Sequence, residues 1–166
     1  MRKKKVIKKV NNVTSNPSST VVETENNNSN KRINTMNYKC VLFCEDIRQE
    51  VGGKMSLMGV LGNKLLVPQF PLHMPKFCLF IEWAEQLGKS VINLKITTPN
   101  EGQAPRVLPI EVIGQAGIVS RSLVVMNGFA FEQPGVYNFE FESNGQIIGR
   151  EQFTIEEFKP QNATIN

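Results

Sequence analysis

From Asn37 to about residue 158, the apolar residues of this chain recur at every second position. No run of eleven or more residues keeps the i, i+3, i+4, i+7 spacing of an amphipathic helix. A period of two sends successive side chains to opposite faces of an extended strand, so the chain is restricted to folds made of strands. Tyr137, Phe139 and Phe141 alternate with Asn138, Glu140 and Glu142, and Ile92, Leu94 and Ile96 with Asn93, Lys95 and Thr97. Phe77, Leu79, Ile81 and Trp83 alternate with Lys76, Cys78, Phe80 and Glu82, which leaves residues 76–83 apolar on much of both faces and predicts a central strand. Further strands are expected at 38–44, 55–61, 64–67, 106–113, 119–126 and 147–155.

The breaks between these runs carry turn chemistry. Asn144-Gly145 lies between two alternating runs and predicts a type I′ hairpin, in which both central residues need positive φ. Thr98-Pro99-Asn100-Glu101-Gly102 and Glu132-Gln133-Pro134-Gly135 read as turns. Many short strands at regular spacing predict an all-β sandwich or barrel. Pro134-Gly135-Val136-Tyr137, followed by alternation and a hairpin into the last strand, resembles the penultimate strand of immunoglobulin-like domains. There a tyrosine hydroxyl anchors a corner. The resemblance implies an immunoglobulin-like antiparallel β-sandwich over 37–158, with Tyr137 in a structural role.

Residues 1–36 have a different character. They are rich in Lys, Asn, Ser and Thr, and they hold eight basic residues against Glu23 and Glu25, a net charge of +6. Residues 37–166 hold 11 basic and 13 acidic residues, a net charge of −2, so the basic balance of the whole belongs to its first segment. With almost no large apolar residues to offset the entropy of ordering, 1–36 is expected to be a disordered tail, and 159–166 a short C-terminal one. A basic arm suits nucleic acid or an anionic membrane surface. This one has no aromatic residue to stack on bases and its charge sits in two short clusters, which disfavours nucleic acid. An alternative is that translation starts at Met36, directly before the first strand, and that the Lys- and Asn-rich segment reflects AT-rich upstream DNA.

No stretch approaches the roughly 20 apolar residues of a membrane span. The basic start Met1–Lys9 is followed by polar residues rather than the apolar core of a secretory signal, which predicts a cytoplasmic protein. The three cysteines fit that compartment as free, buried thiols. Cys40 and Cys44 are too far apart along one strand to be bridged, although a bridge from either to Cys78 is geometrically open.

The densest polar chemistry lies at 44–60, read as a strand end, an acidic turn with Gly52-Gly53, and a return strand. Glu45, Asp46, Arg48, Glu50 and Lys54 are the candidate partner-binding residues. Carboxylates in a Gly-containing loop suit Ca²⁺, but Arg48 stands among them and the spacing matches no metal loop, so the turn reads as salt-bridged and no metal is assigned. His73 is the single histidine and sits in the Pro-bracketed link Phe70–Pro75, where nothing orients it toward a cysteine nucleophile. Gly52-Gly53-Lys54 lacks the spacing of a phosphate loop. Neither enzymatic activity nor a cofactor is expected.

Asp46-x-Arg48-x-Glu50, then Gly53-Lys54-x-Ser56-Leu57-x-Gly59-Val60, then Phe70-Pro71 and Pro75, with Pro134-Gly135-x-Tyr137-x-Phe139 near the end, resembles a family of small bacterial proteins of unknown function over about 37–156. The resemblance implies a β-sandwich and brings no activity, cofactor or catalytic residue. Together these features predict a module that acts by binding a protein partner, through the 45–54 turn or an exposed strand edge. If the apolar strand 119–126 lay at an edge, it would offer a route to a homodimer.

Overall fold

The alternation is realised as nine strands in a computed structural model that describes residues 37–84 and 87–159. The expectations about residues 1–36, about a start at Met36 and about the last residues lie outside the described residues. The strands are β1 (Tyr38–Gln49), β2 (Met55–Leu61), β3 (Lys64–Val67), β4 (Leu72–Trp83), β5 (Gly88–Thr97), β6 (Arg106–Gly114), β7 (Arg121–Phe131), β8 (Gly135–Ser143) and β9 (Gln146–Glu157). They form a four-stranded sheet in the order β2-β1-β4-β7 and a five-stranded sheet in the order β3-β9-β8-β5-β6. All pairings are antiparallel except β3 with β9. The protein is an all-β sandwich, and β4 lies between two neighbours, as its two apolar faces require.

The core is built from alternate side chains of the central strands, odd-numbered on β1, β4, β8 and β9 and even-numbered on β5. Phe43, Phe77, Leu79, Ile81 and Trp83 from the four-stranded sheet meet Ile92, Leu94, Ile96, Tyr137, Phe139, Phe141, Phe153 and Ile155 from the other. Aromatic rings join the two layers: the Phe43 ring centroid is 5.0 Å from that of Phe139 and 5.1 Å from that of Phe153, and Phe77 is 5.5 Å from Phe153. Such tilted contacts match the quadrupoles of the rings and add to their area burial. Trp83 is fully buried, and its indole Nε1–H donates to the Ser122 hydroxyl at 2.9 Å, so the ring brings no unpaired polar atom into the core. Ser120 donates to the Ile113 carbonyl at 2.9 Å and holds the β6–β7 connection closed.

The predicted turns are present. Asn144 (φ 50°) and Gly145 (φ 76°) both have positive φ and join β8 to β9. The Tyr137 hydroxyl donates to the Gln133 carbonyl at 2.9 Å, closing a corner ahead of β8.

Three strands run further than alternation indicates. β1 continues through Gln49, so Glu45–Gln49 is strand rather than turn, and only residues 50–54 turn, closed by Glu50 N–H donating to the Lys54 carbonyl at 2.8 Å. β4 begins at Leu72 and includes Pro75, and β7 reaches Phe131. The last two extensions have one cause. The buried set of β4 changes phase between Met74 and Phe77, and that of β7 changes between Met126 and Phe129, at the same level of the sheet. Pro75, which has no N–H to give, stands opposite Gly128, whose φ of 62° admits the irregularity. Both strands shift together, so pairing resumes on the far side. Phe129 and Phe131 thereby join the core cluster.

Candidate functional site

The candidate polar residues occupy the far end of the β1–β2 hairpin and divide between its two faces. Asp46 and Arg48 share the outer face of the four-stranded sheet. The Asp46 carboxylate accepts from Lys76 Nζ at 2.8 Å and from Arg48 Nε at 3.3 Å. These two cations, Lys76 first, hold its carboxyl below the usual carboxylate range. Glu45 projects from the opposite face. There it lies over Gly59, where an added Cβ would stand 2.5 Å from its Oε2. Glu50 accepts a hydrogen bond from the Ser56 hydroxyl across the hairpin, and Lys54 is exposed at its end. The structure thus brings Asp46 and Arg48 together, adds Lys76 from β4, and leaves Glu45, Glu50 and Lys54 apart from them.

His73 is exposed on β4 and lines a groove of about 540 Å³ that Glu45, Asp46 and Lys76 also border, with Leu65, Val67 and Met74 among its apolar walls. Cys44 and Cys78 face one another in the β1–β4 register, and all three cysteines are free. Cys44 and Cys78 are fully buried. Burial pushes the Cys44 thiol up to about 11, and it raises that of Cys78 as well. The Cys78 thiol donates to the Glu45 carbonyl at 3.8 Å. Thiols held in the neutral form are poor nucleophiles. No group of three His, Cys, Asp or Glu side chains among the described residues is arranged to hold a metal ion.

A further feature of this sheet is apolar, and its motifs alone do not show it. The paired registers align Val60, Cys44, Cys78 and Val125 in one row across β2, β1, β4 and β7, on the outer face. Leu42, Phe80 and Leu123 form the next row. Phe80 and the two cysteines are buried yet stand outside the core cluster, because they face away from the five-stranded sheet. Around them Leu42, Val60 and Val125 are 37%, 54% and 47% exposed. Ion pairs bound the two rows: Asp46 with Lys76 and Arg48 on one side, and Glu82 with Arg121 at 3.1 Å on the other. The sequence signal was the apolar character of Cys78 and Phe80 at the positions between the core residues of β4. It marked a central strand without showing that the second face meets no layer of this sheet pair.

This arrangement agrees with what similarity adds. Residues 39–156 match the model of a family of unknown function, DUF6941. The chain belongs to this family. The match takes in every strand but the ends of β1 and β9, so the DUF6941 region and the sandwich coincide. No curated protein matches the chain.

Proposed function

We propose that this DUF6941 protein is a non-enzymatic, cytoplasmic binding module whose outer four-stranded face docks a partner protein. The observation that carries the reading is the pair of apolar rows bounded by ion pairs. An exposed apolar patch with a polar margin is the usual form of a protein-binding surface. The partner implied is a protein with an apolar centre that covers Leu42, Phe80 and Val125, and with charges at its margin to meet Asp46, Arg48 and Arg121. Asp46 and Arg48 of the original polar set then act as margin residues.

Three free cysteines, two of them buried, fit a reducing compartment, and no helix among the described residues is long and apolar enough to cross a membrane. A non-enzymatic role is supported by the raised Cys44 and Cys78 thiols, which face each other rather than His73. The Tyr137 corner supports placing the sandwich among immunoglobulin-like folds.

The test is affinity capture from source-cell extract with the full chain and with a L42S/F80S variant shown to be folded by its thermal midpoint. A stoichiometric protein bound by the first and lost by the second is the expected result. Recovery of nucleic acid that is released at high salt, unchanged in the variant, would move the function to the basic segment 1–36.

A further inference from the structure

Among the described residues four strands have a free edge: β2 and β7 in one sheet, β3 and β6 in the other. Free edges invite pairing with other chains unless they are short, interrupted or charged. β3 is four residues long and carries the Lys64–Glu156 ion pair. β6 has Pro109 at its centre, which cannot donate, and charged Arg106 and Glu111, the latter paired with Lys89. β2 is broken at Gly59, leaving four regular residues before it.

β7 differs from all three. Its regular run Arg121–Asn127 has seven residues, no proline, and one charge, which is already paired with Glu82. The run ends where the strand changes phase at Gly128. Beside this edge lies an open cleft of about 600 Å³, lined by Leu108, Pro109 and Ile110 of β6, by Val124 and Met126 of β7 and by Gln49 of β1. An extended strand therefore has room next to β7.

The run is also self-complementary. Antiparallel pairing of Arg121–Asn127 with its own copy is centred on its middle residue, Val124. That register sets Leu123 against Val125 of the second copy, twice, and Arg121 against Asn127, twice. It opposes no like charges and meets the requirement that a two-fold interface match itself. It also joins the row that ends at Val125 to the partner's row that ends at Leu123, so the apolar outer face becomes continuous across both molecules.

We propose that a second copy of the chain pairs antiparallel along the free edge of β7, the two Val124 residues facing each other across a two-fold axis, so that the two four-stranded sheets join edge to edge. Leu123 and Val125 belong to the outer face as well as to this edge, and sedimentation of the purified chain reads self-pairing alone, with no partner protein present.

The experiment is sedimentation velocity on the full 166-residue chain across the micromolar range, with two variants. Wild type is expected at twice the 18.7 kDa chain mass. L123K/V125K, which sets lysine against lysine at both outer pairs, is expected at half the wild-type mass with its thermal transition retained. L123K/V125E, which sets lysine against glutamate at the same two pairs, is expected to recover the dimer. A monomeric wild type, a dimeric L123K/V125K, or a monomeric but folded L123K/V125E would each overturn the proposal. Should L123K/V125K fail to fold, hydrogen exchange on wild type decides: amides of 121–127 that gain protection as protein concentration rises support self-pairing. Amides protected only on adding a different protein would assign the edge to that protein and overturn it.

Discussion

The two faces of β4 are built from the same kind of residue and meet opposite ends. Phe77, Leu79, Ile81 and Trp83 point into the space between the sheets and are buried against the aromatic side chains of β8 and β9. Cys78 and Phe80, one step out of phase, point the other way and, among the described residues, are covered by neighbours on their own sheet, with Leu42, Val60 and Val125 open around them. Alternation separates the faces of a strand, but it does not say whether a second layer exists beyond each. Among the described residues the inner face has its layer and the outer face has none, so the inner face supplies stability, and the proposed docking falls to the outer face.

The largest expected effect separates the two faces directly. Phe77→Ala should cost about 3–5 kcal/mol, the lost transfer energy plus the sealed cavity it leaves between the sheets. Phe80→Ala should cost about 2 kcal/mol, because the space it vacates opens to solvent, so the transfer energy is lost but no sealed cavity is left. Urea unfolding of both variants checks the pair, and equal losses would mean that the outer face is as structural as the inner.

A second substitution probes how tightly the inner face is closed. An added Cβ at Gly149 would stand 2.0 Å from Tyr38 Cε1, so Gly149→Ala must displace the Tyr38 ring from β9. It would then weaken the hydrogen bond from the Tyr38 hydroxyl to Glu151, which is 2.9 Å long. A loss of about 1–3 kcal/mol is expected from overpacking. The tyrosine signal in near-ultraviolet circular dichroism should change with it, whereas a comparable substitution on the outer face should leave that signal alone.

Tyr137→Phe keeps the ring in the core and removes the hydroxyl that donates to the Gln133 carbonyl at 2.9 Å and accepts from the Gln133 N–H at 3.4 Å, for an expected loss of about 1 kcal/mol in the same unfolding assay. A loss several times larger would show that the corner determines how β8 enters the core, not merely how it is tethered.

The smallest effect lies at the margin of the outer face. Asp46 has a lowered native pKa, so its ion pairs stabilise the fold above the ordinary carboxylate value of 3.8, and that contribution is lost as pH falls through the native value. Both partners are exposed, so wild type should exceed Asp46→Asn by only a small margin in thermal midpoint at pH 7, with the two converging in strong acid. A difference that grew on acidification would reverse the assigned sign.

Much of this molecule could be read from its residues. The period of two placed the core positions of β4, β5 and β8, and Asn144-Gly145 placed the last hairpin, because strand faces and tight turns are local properties of backbone geometry. Strand ends were less legible. Pro75 reads as the end of a linker because its lost hydrogen bond is obvious in sequence, whereas its compensation by Gly128 on the neighbouring strand is not. The polar candidates show the same limit: Asp46 and Arg48 are near in sequence, but Lys76, the stronger influence on Asp46, is 30 residues away and meets it only through the β1–β4 register.

The residues by themselves determined that the chain is all-β, which side chains of β4, β5 and β8 fill its core and where the last hairpin turns, since periodicity and turn chemistry act over a few residues. Tertiary structure alone decided that β7 lies at an edge, that Cys44 faces Cys78, and that two apolar rows, one across four strands and one across three, form one surface. Those facts depend on strand order and register, which are set by packing between segments far apart in the chain.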